Sequence, residues 1–218
     1  RFGIMIASPA GNDILFDESA LEQGRNFNNK IWNALKLVKM WEGRQTQATG
    51  DTAYNFALTW FENRLNQVKA EVNELMTQFR LSEALKTLYS LIWDDFCSWY
   101  LEWVKPGFEQ PIDAAVYKKT VQYFEELVQL LHPFMPFITE EINHQLKERT
   151  DDLCVKQYGK PDDADALVLS EGQLLKQVIS ALRDARNKNQ VKPKDSIQLH
   201  IQTTNKAGYE AIENILAK

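Results

Sequence analysis

Three stretches of this chain carry side chains that could do chemistry. In LLHPFMPFITEEI (Leu130–Ile142), His132 offers a base and Glu140 and Glu141 offer acids. In IWDDFCSWY, the adjacent Asp94 and Asp95 suit a metal or an acid/base pair. The third stretch, Gln23 to Trp41, holds Arg25, Lys30, Lys36 and Lys39 without a single acid, together with Asn26, Asn28, Asn29 and Asn33. Cations and amides at helical spacing suit phosphates and base edges rather than bond-making.

The two catalytic readings meet structural competitors. Neighbouring helical residues point about 100° apart, so Asp94 and Asp95 cannot readily act together. They are predicted on the solvated side of an aromatic-rich helix, with Trp93, Trp99 and Trp103 mainly in the core. Pro133 disfavours helical geometry at His132 and is predicted to end a helix there. Phe134, Met135, Phe137 and Ile138 are expected to seal the joint and Pro136 to stiffen it. Thr139 is expected to cap the next helix, with Glu140 and Glu141 at its positive N-terminal end. His132 is therefore read as structural. With no Gly-rich phosphate loop, no paired histidines on a helix and no nucleophile beside an evident base, no catalytic or metal-binding residue is assigned.

The basic helix resists the same treatment. At helical spacing Asn26, Lys30, Asn33 and Leu37 form one stripe beside the apolar face of Phe27, Ile31 and Leu35. Amides and a lysine suit base edges and phosphates, and an apolar side chain suits the face of an unstacked base. Asparagine costs a helix about a few tenths of a kcal/mol relative to alanine, so four of them point to a use beyond helix formation. The competing reading is a solvated basic helix. A second cluster, Arg183, Arg186, Lys188, Lys192 and Lys194, is diluted only by Asp184. The dipole of a helix C-terminus accounts for one or two of these cations, and phosphate contact for the others.

Those residues need elements to position them. From Asp17 to about Lys147 the apolar period is helical. Asp17 is predicted to cap a first long helix that buries Phe27, Ile31, Ala34, Leu35 and Val38. After a polar loop (Gly43 to Asp51), a second helix to about Gln78 buries Phe56, Trp60, Leu65, Val68, Val72 and Leu75. A third, from about Arg80 to Val104, carries Leu85, Leu88, Leu91, Ile92, Phe96, Tyr100 and Trp103. KPGFEQP interrupts the chain before a fourth with Val116, Val121, Phe124, Leu127, Val128 and Leu131. The fold class is mainly α, an antiparallel helix bundle over residues 1–147. Residues 148–218 are expected to form a small, incomplete α/β segment. Its acidic loop (Tyr158 to Leu167) leads to a helix opened by a Ser170/Gln173 capping box and ending near Lys188. A half-buried strand follows with Ile197, Leu199 and Ile201 on one face, then a helix from about Asn205.

Bulk properties bound the function. Hydrophobic residues at 44% and charged residues at 25% of 218 are those of a globular protein with room for a full core. No apolar run approaches the roughly 20 residues that span a bilayer, so no membrane partner is expected. Cys97 and Cys154 fit neither a disulfide framework nor a metal spacing, which points to a reducing, cytoplasmic setting. The net charge of −5 is the wrong sign for nucleic-acid binding through total charge, so local cation placement decides. Arg1 in place of an initiator Met, and an amphipathic helix without a stop signal at the other end, fit a piece of a longer protein.

Four stretches in this order, RNFNNKIWNALKLV (Arg25–Val38), IWDDFCSWYLEWVKP (Ile92–Pro106), LLHPFMPFITEEI and VISALRDARNKNQVKP (Val178–Pro193), resemble the C-terminal half of the valyl-tRNA synthetases. The proline–phenylalanine joint alone is similar to the wider class I group for valine, isoleucine, leucine and methionine. The Asn29–Asn33 run favours valine. The resemblance implies a helical-bundle anticodon-binding domain and part of the α/β segment leading toward a C-terminal coiled coil. It also implies that the ATP-binding and editing parts lie upstream of Arg1, so no cofactor is expected within these residues. ATP with magnesium serves the parent enzyme, a monomeric valine–tRNA ligase that joins valine to its tRNA through an adenylate. The implied partner is tRNA(Val), held through anticodon bases and phosphates by Arg25, Asn26, Lys30, Asn33, Lys36, Leu37, Arg183, Arg186, Lys188 and Lys192. Lys30, Asn33 and Leu37 map onto base contacts, although Leu37 stands where the family commonly has phenylalanine and Lys36 where arginine is frequent. The equivalent domain of an isoleucyl or leucyl enzyme, or a helical protein-interaction module, fits the same residues.

Overall fold

Residues 1–8, 11, 16–47, 54–148, 151–192 and 195–216 are described by the computed structural model. Residues 48–51 of the polar loop, with the expected start of the second helix at Asp51, and Lys194 lie outside these residues. The short α1 (Phe2–Ile6) precedes α2 (Glu18–Glu42), α3 (Asn55–Thr77) and α4 (Leu81–Ser90). A π-helical segment (Leu91–Tyr100) continues α4 into α5 (Leu101–Val104), followed by α6 (Ala114–Leu131) and α7 (Pro136–Leu146). After a 3₁₀ turn (Leu153–Val155) come α8 (Ala166–Lys188), α9 (Lys206–Glu210) and α10 (Glu213–Leu216).

The helices start where local chemistry directs. Asp17 accepts the Ser19 amide at 2.9 Å and caps α2, as expected. Asp113 accepts the amides of Ala115 and Val116 and opens α6. Two-residue strands β1 (Gln45–Thr46) and β2 (Ile112–Asp113) pair in parallel, Gln45 with Ile112 and Thr46 with Asp113, and tie the end of α2 to the start of α6. The core between the helices is aromatic. The Phe61 ring lies 4.8 to 5.3 Å from those of Tyr100, Phe96 and Tyr123. Thr120 Oγ1 gives its one proton to the Val116 carbonyl, so the Tyr100 hydroxyl donates to Thr120 at 2.7 Å. Phe27, Ile31, Ala34, Leu35 and Val38 are buried as expected, whereas Phe56 and Leu75 are only half-buried.

The widened segment alters the third helix. Leu101 N–H bonds to the carbonyl of Phe96, and Ser98 Oγ donates to the carbonyl of Trp93, both five residues back. Residues five apart then share a face, and the pairs Leu91/Phe96, Ile92/Cys97 and Asp95/Tyr100 are all buried. Asp95 is consequently not on the solvated side. It is 4% exposed and receives Arg64 Nε at 2.7 Å and Lys176 Nζ. Asp94 alone faces water, where Ser90 donates to it at 3.0 Å.

The last third departs from expectation in two places. Asp165 caps α8 by accepting the Leu167 amide, so the helix begins four residues before Ser170. The Ser170 hydroxyl sits inside the helix and donates back to the Leu167 carbonyl. Around Ile197, Leu199 and Ile201 there is no strand: the three are 41 to 44% exposed, and among the described residues the only sheet is β1–β2. The alternation is real, but without a neighbouring strand its backbone groups have no ladder to join. α9 starts just after Asn205, as expected, and Asn205 caps it by accepting the Gly208 amide. α8 packs on α3 through Leu175 and Gly172, where a Cβ would come within 2.0 Å of the Trp60 ring. Only glycine permits that approach.

Candidate nucleic-acid interface

The geometry of α2 sorts its polar residues. With Phe27, Ile31, Ala34, Leu35 and Val38 inward, Arg25, Asn26, Asn29, Asn33 and Lys36 are exposed, and Lys30 and Leu37 are half-buried along the edge. The stripe Asn26–Lys30–Asn33–Leu37 therefore presents two amides to solvent, with a cation and an apolar group set into the margin of the bundle. Lys30 Nζ lies 5.3 Å from the centroid of Trp93, within cation–π range. Trp93 in turn stacks on Tyr89 at 5.5 Å. Arg25 is engaged with Glu22 at 3.2 Å and Lys39 with Glu42 at 2.6 Å. Lys36, between them, makes no ion pair among the described residues.

A second cation–aromatic group comes from α8. The Arg183 guanidinium sits 5.4 Å from the centroid of Trp99. Two turns earlier, Lys176 lies between Trp60 at 4.6 Å and Trp99 at 5.9 Å while pairing with Asp95. Trp93 and Trp99 both belong to the π-helical segment and are half-buried, while Trp103 is in the core. One element thus meets Lys30 of α2 on one side and Arg183 of α8 on the other. The two clusters read separately in the sequence each meet a tryptophan of this one element.

The end of α8 divides its cations by task. Arg186 Nη1 donates to the carbonyls of Lys192 at 2.9 Å and Asp195 at 3.0 Å, closing the turn that follows the helix. Lys188 and Lys192 are exposed, and the Lys192 amide is held by Asp195. Sequence reasoning did not single out Trp93 and Trp99 as surface residues. Nothing in an α-helical wheel shows the widening that moves them outward.

The joint at Leu130–Ile142 is structural in its contacts, though not as drawn from the sequence. Thr139 does not cap α7: the helix starts at Pro136, whose ring suits the first helical position. Thr139 is buried in its first turns, donating to the carbonyl of Met135 or Pro136. With that proton committed, His132 Nδ1 must be the donor in its 2.9 Å contact with Thr139 Oγ1. Glu140 and Glu141 fall beyond the first turn, so the helix-dipole role is not theirs. Glu140 instead receives the Leu153 amide with both oxygens, at 3.1 and 3.0 Å. Phe134 and Met135 seal the joint, but Phe137 is 87% exposed. Near the stripe, burial pushes the Cys97 thiol up to about 12 despite the opposing charge of Lys30, so it is not a nucleophile.

Residues 59–201 match the family described as the anticodon-binding domain of tRNA ligase, and the chain belongs to it. Among similar curated proteins is the valine–tRNA ligase of Porphyromonas gingivalis, 47% identical over 97% of this chain and 24% of that protein. Those of Phocaeicola vulgatus and Fusobacterium nucleatum are 46% and 34% identical, covering 94% and 98% of this chain and 23% and 25% of theirs. The chain spans about a quarter of the length of the curated relatives it matches. Among the described residues no helix is long and apolar enough to cross a membrane.

Proposed function

We propose that the chain is the anticodon-reading part of a cytoplasmic, monomeric valine–tRNA ligase and that its partner is tRNA(Val). The observation that carries this reading is the α2 edge, where Asn26 and Asn33 face solvent beside a lysine already set over Trp93. Splayed anticodon bases are received on the Asn26–Lys30–Asn33–Leu37 stripe, their edges read by the amides and their faces packed on Leu37. Lys36, Arg183, Lys188 and Lys192 hold phosphates, while Arg25 stays in its exposed pair with Glu22. Arg186 acts through the turn that carries Lys192. Activation of valine with ATP and magnesium, and transfer to tRNA, belong to the rest of that enzyme. Residues 1–147 do the reading, and 148–218 lead on toward the C-terminal region.

The test is binding of a fluorescent valine anticodon stem-loop against an unrelated stem-loop of equal length. Tighter binding of the valine loop, weakened by Lys30→Ala and Asn33→Ala, is expected. Equal affinity for both would refute base reading while leaving the charge argument standing. An acidic peptide bound more tightly than either RNA would favour a protein-interaction module.

A further inference from the structure

The descent from α7 into the loop before α8 gathers ligating side chains that the RNA interface does not use. Glu140 and His144 stand four residues apart on α7, so they share a face. Asp152, from the loop, closes over them. Carboxylate and imidazole atoms of the three lie within 4.8 Å of one another. His144 Nε2 is 3.1 Å from Glu140 Oε1 and 3.4 Å from Asp152 Oδ1.

Two observations separate this cluster from an ordinary ion pair. His144 Nε2 is buried and, although two carboxylate oxygens are close, makes a hydrogen bond to neither. A buried ring nitrogen this close to two carboxylate oxygens and bonded to neither has its lone pair available for a cation that the three could share. The distances agree. Tetrahedral zinc with bonds of about 2.0–2.1 Å separates its ligand atoms by about 3.3–3.4 Å, close to both observed spacings. Glu140 is also braced from outside by the Leu153 amide, the sort of outer support that fixes ligating carboxylates.

We propose that Glu140, His144 and Asp152 bind a divalent transition ion of the zinc class, with a fourth position left to water. One imidazole with two carboxylates suits zinc, whereas magnesium prefers oxygen ligands and keeps its own waters. The ion cross-links α7 to the loop that leads to α8, and so fixes how the second half of the chain leaves the bundle. It is structural and independent of RNA recognition.

Metal binding to the purified 218-residue chain, stripped with EDTA, tests this through competition with a chromophoric zinc chelator and through the visible spectrum of the cobalt form. One zinc per chain is expected, with a higher melting temperature in zinc but not in magnesium. His144→Ala should lower affinity by more than the roughly 10–100-fold typical of losing an outer support, and abolish the cobalt band. Asp152→Asn, a near-isosteric change in the loop, should do the same even if His144→Ala folds poorly. Cys154→Ser should change nothing. No zinc binding by the folded chain, or binding that survives Asp152→Asn and disappears in Cys154→Ser, would overturn the assignment.

Discussion

Replacing Lys36 by alanine separates phosphate holding from base reading. Of the cations in the two basic groups, Arg25 is paired with Glu22, Lys39 with Glu42, and Arg186 closes a turn. Lys30 lies over Trp93 on the base-reading stripe. Among the described residues that leaves Lys36, Arg183, Lys188 and Lys192 as the phosphate set. At about 0.7 per contact on a single strand, four contacts give a slope of about −2.8 in log K against log[salt]. Lys36→Ala should bring the slope to about −2.1. From about 50 to 200 mM salt, the parent chain then loses about 50-fold in affinity and the variant about 20-fold. The assay is fluorescence anisotropy of a labelled valine anticodon stem-loop across that salt series. Lys36→Arg should restore the slope. Asn33→Ala should leave the slope at about −2.8, cost about 1–3 kcal/mol in affinity, and erase the preference over an unrelated loop. A slope unmoved by Lys36→Ala would refute the assignment of Lys36 to phosphate. A slope changed by Asn33→Ala would show that base and phosphate contacts are not separable on this helix.

Three further outcomes follow from the contacts. Asp95→Ala leaves Arg64 and Lys176 facing each other without their shared carboxylate, and urea unfolding should show a loss of about 3 kcal/mol, the lower end for a broken buried pair because both partners keep some solvent. Gly172→Ala gains helix propensity of about 1 kcal/mol but drives a methyl into the Trp60 ring. Overpacking of about 1–3 kcal/mol should dominate, with altered tryptophan fluorescence, and an unchanged or raised stability would contradict the close approach of α8 to α3. Because burial raises the Cys97 thiol to about 12, it stays protonated from neutral pH to well above it, and only Cys154 should react with a thiol reagent in the native chain. Two reactive thiols before unfolding would refute that burial.

The helices, the core of α2 and its cap at Asp17 were legible in the sequence because they depend on residues within a turn or two of each other. What could not be read depended on partners far along the chain. Asp95 looks solvent-facing beside Asp94 until Arg64, 31 residues earlier, and Lys176, 81 later, are brought to it. Ser170 carries a capping-box pattern, but Asp165 comes first, its amide held by Asn63 at 2.6 Å, and captures the helix start. The strand at Ile197 to Ile201 had the right alternation and lacked a neighbour. For the interface, the amide and cation spacing on α2 could be read directly. The part played by Trp93 and Trp99 could not, because it follows from a change in helix type.

That change in helix type joins the two halves of the proposed interface. In an uninterrupted α-helix, residues five apart diverge by about 140°, so Phe96 could not share the buried face of Leu91, nor Tyr100 that of Asp95. The wider turn places both pairs inward, and the same turn holds Trp93 against Lys30 and Trp99 against Arg183 at its margins. Asp95 then becomes the anchor of α8, since the lysine it binds is one that also packs on Trp60 and Trp99. Loss of the Asp95 carboxylate should therefore do more than lower stability. It should free α8 from the bundle and separate Arg183, Lys188 and Lys192 from the α2 edge, reducing the salt slope by about three contacts, or about 2 units, while base preference survives. If Asp95→Asn binds the stem-loop with the parent slope, the two clusters do not act on one RNA.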